Sequence, residues 1–350
     1  MENYLAINCG STSLKYKLFD GQEREIKAGN FELGSKEEIE KVLKNVLREI
    51  GDLRDVKAVG HRVVHGGEKF QQAVLIDEEK LTELKELNPL APLHNPYNIA
   101  GIEAVASFLP EIPQVAVFDT AFYADLPEVA RTYALPAEVN KRLGIRRFGF
   151  HGISHRYAAE EAARELGLRP DKINLISCHL GGGWSVTAVK KGKPVDTSMG
   201  FTPLEGLVMM TRAGDLDAGL VIELIRRSGH DLKHQAYEEV YDLLNHSSGL
   251  KGLSGSGNYL ELLKETSRGN QKAKLAFDLA VYRLSKYIAS YWAVLGGEVD
   301  AIVFTGAIGA GDPLTRKQTM LKLKCLGEIK VLPIKANEEL GIIREVKRLL

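Results

Sequence analysis

Tyr4-Leu5-Ala6-Ile7 is a short apolar run, Asn8-Cys9-Gly10-Ser11-Thr12-Ser13 is a polar turn, and Leu14, Tyr16 and Leu18 then alternate with Lys15 and Lys17. A period of two marks a strand with one buried face, so the stretch reads as a β-hairpin. The same design returns at 175–190, where Leu175-Ile-Ser-Cys-His-Leu180 precedes Gly181-Gly182-Gly183 and Ser185-Val-Thr-Ala-Val189. Each second strand then reaches a charged glycine turn, Asp20-Gly21 or Lys190-Lys191-Gly192. Two like hairpins suggest a duplicated domain with a cleft between its halves. Outward from them, Ile39, Val42, Leu43, Val46 and Leu47 have helical spacing within 37–50. Residues 56–64, 115–118 and 175–178 read as buried strands, and 157–166 and 275–295 as helices. Strands alternating with helices place the chain among α/β layers.

The 350 residues suffice for about two domains. With 44% hydrophobic and 26% charged residues the composition is that of a globular protein. Lysine plus arginine equals aspartate plus glutamate at 46 each, so no basic excess is present for a nucleic-acid backbone. Cys9, Cys178 and Cys325 are too few and too scattered for a disulfide frame, which suits a reducing cytoplasm. The apolar region 287–310 is interrupted by Glu298 and Asp300 and does not read as a membrane span, and the start lacks the basic residues of a signal peptide. A cytoplasmic protein without membrane or nucleic-acid partners is expected.

Asn8, Ser11, Thr12, Ser13 and Lys15 are donors of the kind that hold phosphate oxygens, though an ordinary hairpin turn uses the same residues. Neither a P-loop nor a dinucleotide fingerprint occurs; Gly309-Ala-Gly311 lacks the third glycine. His61/His65 and His151/His155 are spaced by four but lack the glutamate of a zinc-protease motif. His94, His151 and His179 sit in tight loops or at a strand end, where imidazoles can donate to anionic oxygens. Arg62 and Arg212 carry guanidinium forks that match carboxylate and phosphate oxygens. Asp119 follows the strand 115–118 directly, the position where α/β sheets keep catalytic groups. Glu338 and Glu339 precede a C-terminal helix, where the helix dipole alone favours acids. Taken singly, each histidine also fits a structural role and each arginine a surface ion pair.

Together these segments resemble the acetate kinase family, within the superfamily of actin-like ATPases and sugar kinases. The residues carrying the resemblance are Asn8-Cys-Gly-Ser-Thr-Ser-Leu-Lys15, Gly60-His-Arg-Val-Val-His-Gly-Gly-Glu68, Ala91-Pro-Leu-His-Asn-Pro96 and Val117-Phe-Asp-Thr-Ala-Phe122. Phe148-Gly-Phe-His-Gly-Ile-Ser-His155, Asp196-Thr-Ser-Met-Gly-Phe-Thr-Pro-Leu-Glu-Gly206 and Thr211-Arg-Ala-Gly-Asp-Leu-Asp217 follow in the family's order. The resemblance implies two actin-like (ribonuclease H-like) domains flanking a catalytic cleft, 1–123 plus 340–350 and 124–339. It implies a helix-mediated homodimer, and magnesium-dependent (or manganese-dependent) phosphoryl exchange between ATP plus acetate and ADP plus acetyl phosphate.

Residue by residue, the resemblance makes Arg62, Asp119, His151 and Arg212 the catalytic set. It gives Val64, Leu93, Phe150 and Pro203 to the acetate methyl, with Arg62 and His94 beside the substrate. Asn8 and Glu338 fall to the metal. Ser11, Thr12, Ser13, Lys15, His179, Gly181, Gly182, Gly183, Gly306 and Gly309 fall to the nucleotide and its phosphates. The pattern departs from the family on the nucleotide side. Gly182 replaces an asparagine, Asn258-Tyr259-Leu260 stands where an Asp-Phe-Arg run is usual, and Gly309-Ala-Gly311 replaces Gly-Glu-Asn. The chain is also shorter than usual, and the second domain reads as the trimmed one. These changes leave another nucleotide or pyrophosphate open as donor and propionate as acceptor. A non-catalytic actin-like scaffold is the alternative of another class.

Overall fold

The computed structural model describes residues 2–228 and 233–350. The chain forms two compact units, one of residues 1–125, 150–157 and 337–350, the other of residues 126–149 and 158–336.

The first unit opens with the expected hairpin, β1 (Asn3–Cys9) paired antiparallel with β2 (Ser13–Asp20), and β3 (Glu25–Glu32) extends it. It continues with α1 (Ile39–Ile50), β4 (Val56–Val63), β5 (Val74–Leu75), α2 (Glu78–Glu86), α3 (Asn95–Phe108) and β6 (Gln114–Phe118). The sheet order is β3-β2-β1-β4-β6-β5, with β1, β4 and β6 parallel. Parallel strands are covered on both faces and so read as unbroken apolar runs, which is why β6 is buried at every position. One core gathers Leu5, Ile7, Leu14 and Tyr16 of the hairpin with Leu43 and Val46 of α1 and Val105 of α3. Against Gly60 of β4 lies the C-terminal helix described below; a Cβ at Gly60 would stand 2.6 Å from Ile342.

The second unit begins with α4 (Glu128–Arg131) and α5 (Ala137–Leu143). Helix α6 (Gly152–Leu166) starts in the first unit and continues into the second. The strands β7 (Leu175–Leu180), β8 (Trp184–Lys190) and β9 (Lys193–Thr197) follow, then α7 (Ala218–Arg227), α8 (Lys233–His246), α9 (Gly249–Ser254), α10 (Tyr259–Ser267) and α11 (Gln271–Val294). After β10 (Ala301–Thr305) come α12 (Gly306–Gly311), α13 (Pro313–Lys322) and β11 (Val331–Pro333), and α14 (Glu338–Leu349) returns to the first unit.

The second sheet runs β11-β10-β7-β8-β9, with β7–β8 and β8–β9 antiparallel and β7, β10 and β11 parallel. Taken from its other edge it is β9-β8-β7-β10-β11, the same plan as β3-β2-β1-β4-β6. The duplication read from two hairpins is therefore a repeat of whole sheets, in the arrangement of actin-like ATPases and sugar kinases.

Element limits differ from the sequence reading where capping decides them. Helix α6 starts at Gly152 rather than 157, directly after a turn at His151. Helix α11 starts at Gln271 because the Asn270 side chain accepts from the amides of Lys272 and Ala273. Residues 150–157, expected in the second half, pack with the first unit. Gly152 N–H donates to Asp119 C=O at 3.0 Å, and Tyr123 Oη donates to Phe150 C=O at 3.0 Å.

Candidate active site

In the first unit the carboxyl ends of three adjacent parallel strands deliver polar residues at one edge, the place where open α/β sheets bind ligands. Asn8 is in β1, Arg62 is in β4 and Asp119 follows β6. Asp119 holds Arg62 bidentately, Nε to Oδ1 at 3.1 Å and Nη2 to Oδ2 at 2.7 Å. The remaining Nη1 lies 3.4 Å from Glu338 Oε2. Glu339, the adjacent acid, lies instead 3.8 Å from Lys17 Nζ. Of the two glutamates, Glu338 joins the site.

The charges are unevenly matched. Burial opposes the Arg62 guanidinium, yet Asp119, Glu338 and Glu339 together push its pKa above the ordinary value. Burial raises the Asp119 carboxyl; Arg62 pulls the other way, and Glu338 adds to the rise. Two carboxylates thus share one guanidinium, leaving net negative charge in a buried place.

His151 stands with Phe150 between Gly149 and Gly152 and adopts φ 57°. The left-handed region is uncommon for residues other than glycine, and such strain gathers at functional sites. Its backbone N–H donates to the Asp119 carboxylate. Val64 and Phe150 are buried, and Phe150 meets His65 edge-on at 5.4 Å. Leu93 is half-buried, and His94 stands at the N-terminus of α3. Gly10 to Thr12 form the hairpin turn, closed by Gly10 N–H to Ser13 C=O at 2.8 Å; Ser13 and Lys15 stand at the start of β2, and Thr12 and Lys15 are exposed.

Two residues that the sequence reading missed hold this edge together. Asn98 accepts from Val64 N–H at 3.0 Å and donates to Cys9 C=O at 2.6 Å. Asn95 accepts from His65 N–H at 3.1 Å and donates to His65 C=O at 3.0 Å. Their signal was two carboxamides, three positions apart, at the start of an otherwise apolar helix.

The second unit carries the other expected residues, Pro203 among them. The turn 181–183 joins β7 to β8, with Gly181 N–H donating to Gly183 C=O at 3.0 Å and Trp184 Nε1 to Gly181 C=O at 2.9 Å. His179 is buried, and its Nε2 would stand 3.4 Å from a Cβ on Gly181. Gly306 has φ 79°, and a Cβ there would lie 2.5 Å from Leu180 C=O, so only glycine fits; Gly309 is buried in the same short helix.

Arg212 closes a tight turn, its C=O accepting from Met209 N–H at 3.1 Å, and Met210 N–H donates to Gly182 C=O at 3.3 Å. The triglycine turn and the arginine turn are thus linked directly. The Arg212 guanidinium touches Met209 Sδ at 3.8 Å and pairs with no carboxylate among the described residues. Burial pulls its pKa down, with only Tyr241 opposing. Arg62 is neutralised within the protein, whereas Arg212 is not.

Of the three departures from the family pattern, two have structural occupations and one does not. Gly182 has open space around a hypothetical Cβ. Asn258 caps α10 by accepting from Glu261 N–H, Tyr259 is buried against Trp184 at 6.1 Å, and Leu260 points outward, 75% exposed. Tyr259 Oη donates to Asp312 Oδ2 at 3.2 Å, while Asp312 caps α13. Arg316 donates to the carbonyls of Gly309 and Ala310 at 2.7 and 2.8 Å.

The sequence model of the Acetokinase family matches residues 3–341. An acetate kinase of Thermotoga maritima is 40% identical over 401 aligned positions, covering 99% of this chain and 98% of the relative. Among solved structures, a propionate kinase from Francisella tularensis superposes with TM-score 0.90 at 36% identity, over 99% of each chain. The acetate kinase of Porphyromonas gingivalis gives 0.89 at 34% identity, over 100% of each. These matches run the length of a chain in which Arg62, Asp119 and Glu338 already stand as one cluster, and the chain belongs to the acetokinase family of kinases that phosphorylate a carboxylate.

Proposed function

We propose that the protein is an acetate kinase, catalysing reversible, magnesium-dependent transfer of the ATP γ-phosphoryl group to acetate by direct in-line displacement. The observation that carries this reading is the Arg62–Asp119–Glu338 cluster, set on the strand ends of a chain similar to acetate kinases along its whole length. Val64, Leu93 and Phe150 would line the methyl pocket. Propionate as acceptor is the neighbouring possibility, since one methylene is worth only about 1–3 kcal/mol.

The residues present fit magnesium. It takes hard oxygen ligands and relies on one or two carboxylates plus substrate phosphates and water. Asn8, Asp119 and Glu338 offer oxygens, and the excess negative charge around Asp119 favours a cation. Among the described residues no cluster of three or more His, Cys, Asp or Glu forms a self-sufficient metal cage, so substrate oxygens would complete the shell. When bound, the ion would neutralise phosphate charge.

A carboxylate is already nucleophilic, so the protein need not supply a strong base; alignment and positive charge suffice. Asp119 fixes the plane of Arg62, whose guanidinium orients the acetate carboxylate. The uncompensated Arg212 holds the transferring phosphoryl group. His151, presented from its left-handed backbone, donates to the equatorial oxygens, with His94 and His179 supporting the phosphate path. Ser11, Thr12, Ser13, Lys15, the triglycine turn, Gly306 and Gly309 serve the donor.

A second reading concerns the donor alone. Asn258, Tyr259 and Asp312 are engaged in caps and packing, which favours a donor that asks less of them, another nucleotide or pyrophosphate. We also propose a homodimer, which would cover exposed apolar residues of α7 such as Leu220 and Ile222. Among the described residues no helix is long and apolar enough to cross a membrane, and the three cysteines are unbridged, as a cytoplasmic enzyme would have them.

Hydroxylamine trapping of acyl phosphate tests the reading, with acetate or propionate, magnesium, and ATP, GTP or pyrophosphate as donor. Acetyl phosphate from ATP upholds it. Activity with pyrophosphate alone replaces the donor, and silence with every combination overturns the enzyme assignment.

A further inference from the structure

Arg212 and Asp215 lie three residues apart on one half-buried loop, yet they do not pair. Opposite charges attract strongly once water is withdrawn, so an ion pair would be the ordinary outcome. Both oxygens of the Asp215 carboxylate are occupied elsewhere. Oδ1 accepts from Gly206 N–H at 2.8 Å and Oδ2 accepts from Tyr287 Oη at 2.6 Å. The loop backbone closes the same link, with Asp215 N–H donating to Gly206 C=O at 2.9 Å.

We propose that Tyr287 of α11 is a positioning residue for Arg212, because with the Gly206 amide it retains the Asp215 carboxylate and leaves the guanidinium uncompensated for an anionic phosphoryl group. The inference rests on the reading of Arg212 as the phosphoryl-binding arginine. A tyrosine suits this role because it satisfies a carboxylate without bringing positive charge that would compete for phosphate. Burial, with the hydrogen bond and charge of Asp215, pushes the Tyr287 phenol well above its ordinary pKa, so it stays a donor at neutral pH. Neighbouring acids are also engaged, by other groups. Glu205 is held by Arg147 and by the Tyr133 hydroxyl, and Asp217 accepts from Gly219 N–H at 2.7 Å, so these acids too are engaged away from Arg212.

The test compares wild type with Y287F, D215N and the double variant, reading kcat and KM for acetyl phosphate with ADP. Protection of the melting temperature by inorganic phosphate gives a second readout that needs no turnover. The expected result is a rise in KM of about tenfold for Y287F, the size of coupling within one hydrogen-bond network. Phosphate protection is lost alongside it. Removing the carboxylate as well restores both toward the D215N values, because no charge is left to quench Arg212. Unaltered KM and protection in Y287F overturn the inference, and so does a double variant that melts cooperatively but is as impaired as Y287F. Wild type that is silent with acetyl phosphate but protected by inorganic phosphate refutes the acetate kinase reading, while the protection series still decides the role of Tyr287.

Discussion

The backbone N–H of His151 donates to the Asp119 carboxylate, and the next amide, Gly152 N–H, donates to the Asp119 carbonyl. One aspartate thus anchors the turn that presents the imidazole while its own side chain holds Arg62. A Cβ at Gly152 would lie 2.1 Å from that carbonyl oxygen. Gly152→Ala is expected to cost about 1–3 kcal/mol of stability through overpacking and to lower kcat at least tenfold by displacing His151. Thermal melts and kcat check it, and an alanine variant with wild-type turnover contradicts it.

Arg62→Lys keeps the charge but loses the fork that matches Asp119 on two atoms. Replacing a planar bidentate group by a point charge is not conservative. A fall in kcat of about 100-fold or more is expected, the range for losing one preorganised donor. Acyl phosphate formation at saturating acetate separates this from a change in KM alone.

Acid lability has an identifiable source. His61 and His65 are buried, and desolvation holds both imidazoles down to about 4 from an ordinary 6.5. His61 Nε2 meets Gln114 Oε1 at 2.7 Å, and His65 Nδ1 accepts from Gly67 N–H at 2.9 Å, as a neutral ring must. Between pH 6.5 and 4 the unfolded chain binds protons that the folded chain refuses, so stability is full above that window and falls as pH drops through it. Each site contributes up to about 3 kcal/mol to the fall. Denaturant titrations across the window should show the slope, and His61→Gln should flatten it.

Asn98→Leu removes one side chain and strands two backbone groups, Val64 N–H and Cys9 C=O. Each unsatisfied buried group costs about 1–3 kcal/mol. The variant should melt earlier and lose discrimination between acetate and propionate, because Val64 is no longer fixed. Unchanged acyl preference in a folded variant would show that β4 holds its end without help.

Gly182→Asn meets open space and should change stability by less than about 0.5 kcal/mol, as surface substitutions do. If the missing carboxamide weakens nucleotide binding, KM for ATP falls in this variant. Steady-state kinetics with ATP and with pyrophosphate give the comparison.

Much of this was legible in the sequence because it rests on local pattern. Residues 14–18 carry period-two alternation, the hairpin at 175–189 repeats the plan of strand, polar turn and strand, and Asp119 stands directly after an apolar run, so strand ends and the acid at one of them could be located. What escaped depends on tertiary partners. The role of Asn98 is defined by Val64 and Cys9, far away in sequence; two carboxamides at the start of an apolar helix mark a polar contact there but not its partners. The start of α6 at Gly152 follows from a carbonyl at Asp119. The choice between Glu338 and Glu339 required knowing which face of α14 meets β4. Arg62 and Arg212 look alike as residues, and only the structure shows that one is matched by carboxylates and the other is not.

Helix α14 follows every other element in chain order, yet it is built into the unit that the first strand begins. Its Ile342, Ile343 and Val346 are wholly buried there, and its first residue is Glu338. During synthesis, therefore, Arg62 and Asp119 emerge from the ribosome long before the acid that completes their cluster, and the whole second unit is translated in between. A nascent chain can complete the second sheet while the first unit still lacks one of its covering helices. Glu338 joins the Arg62–Asp119 pair only once that helix docks.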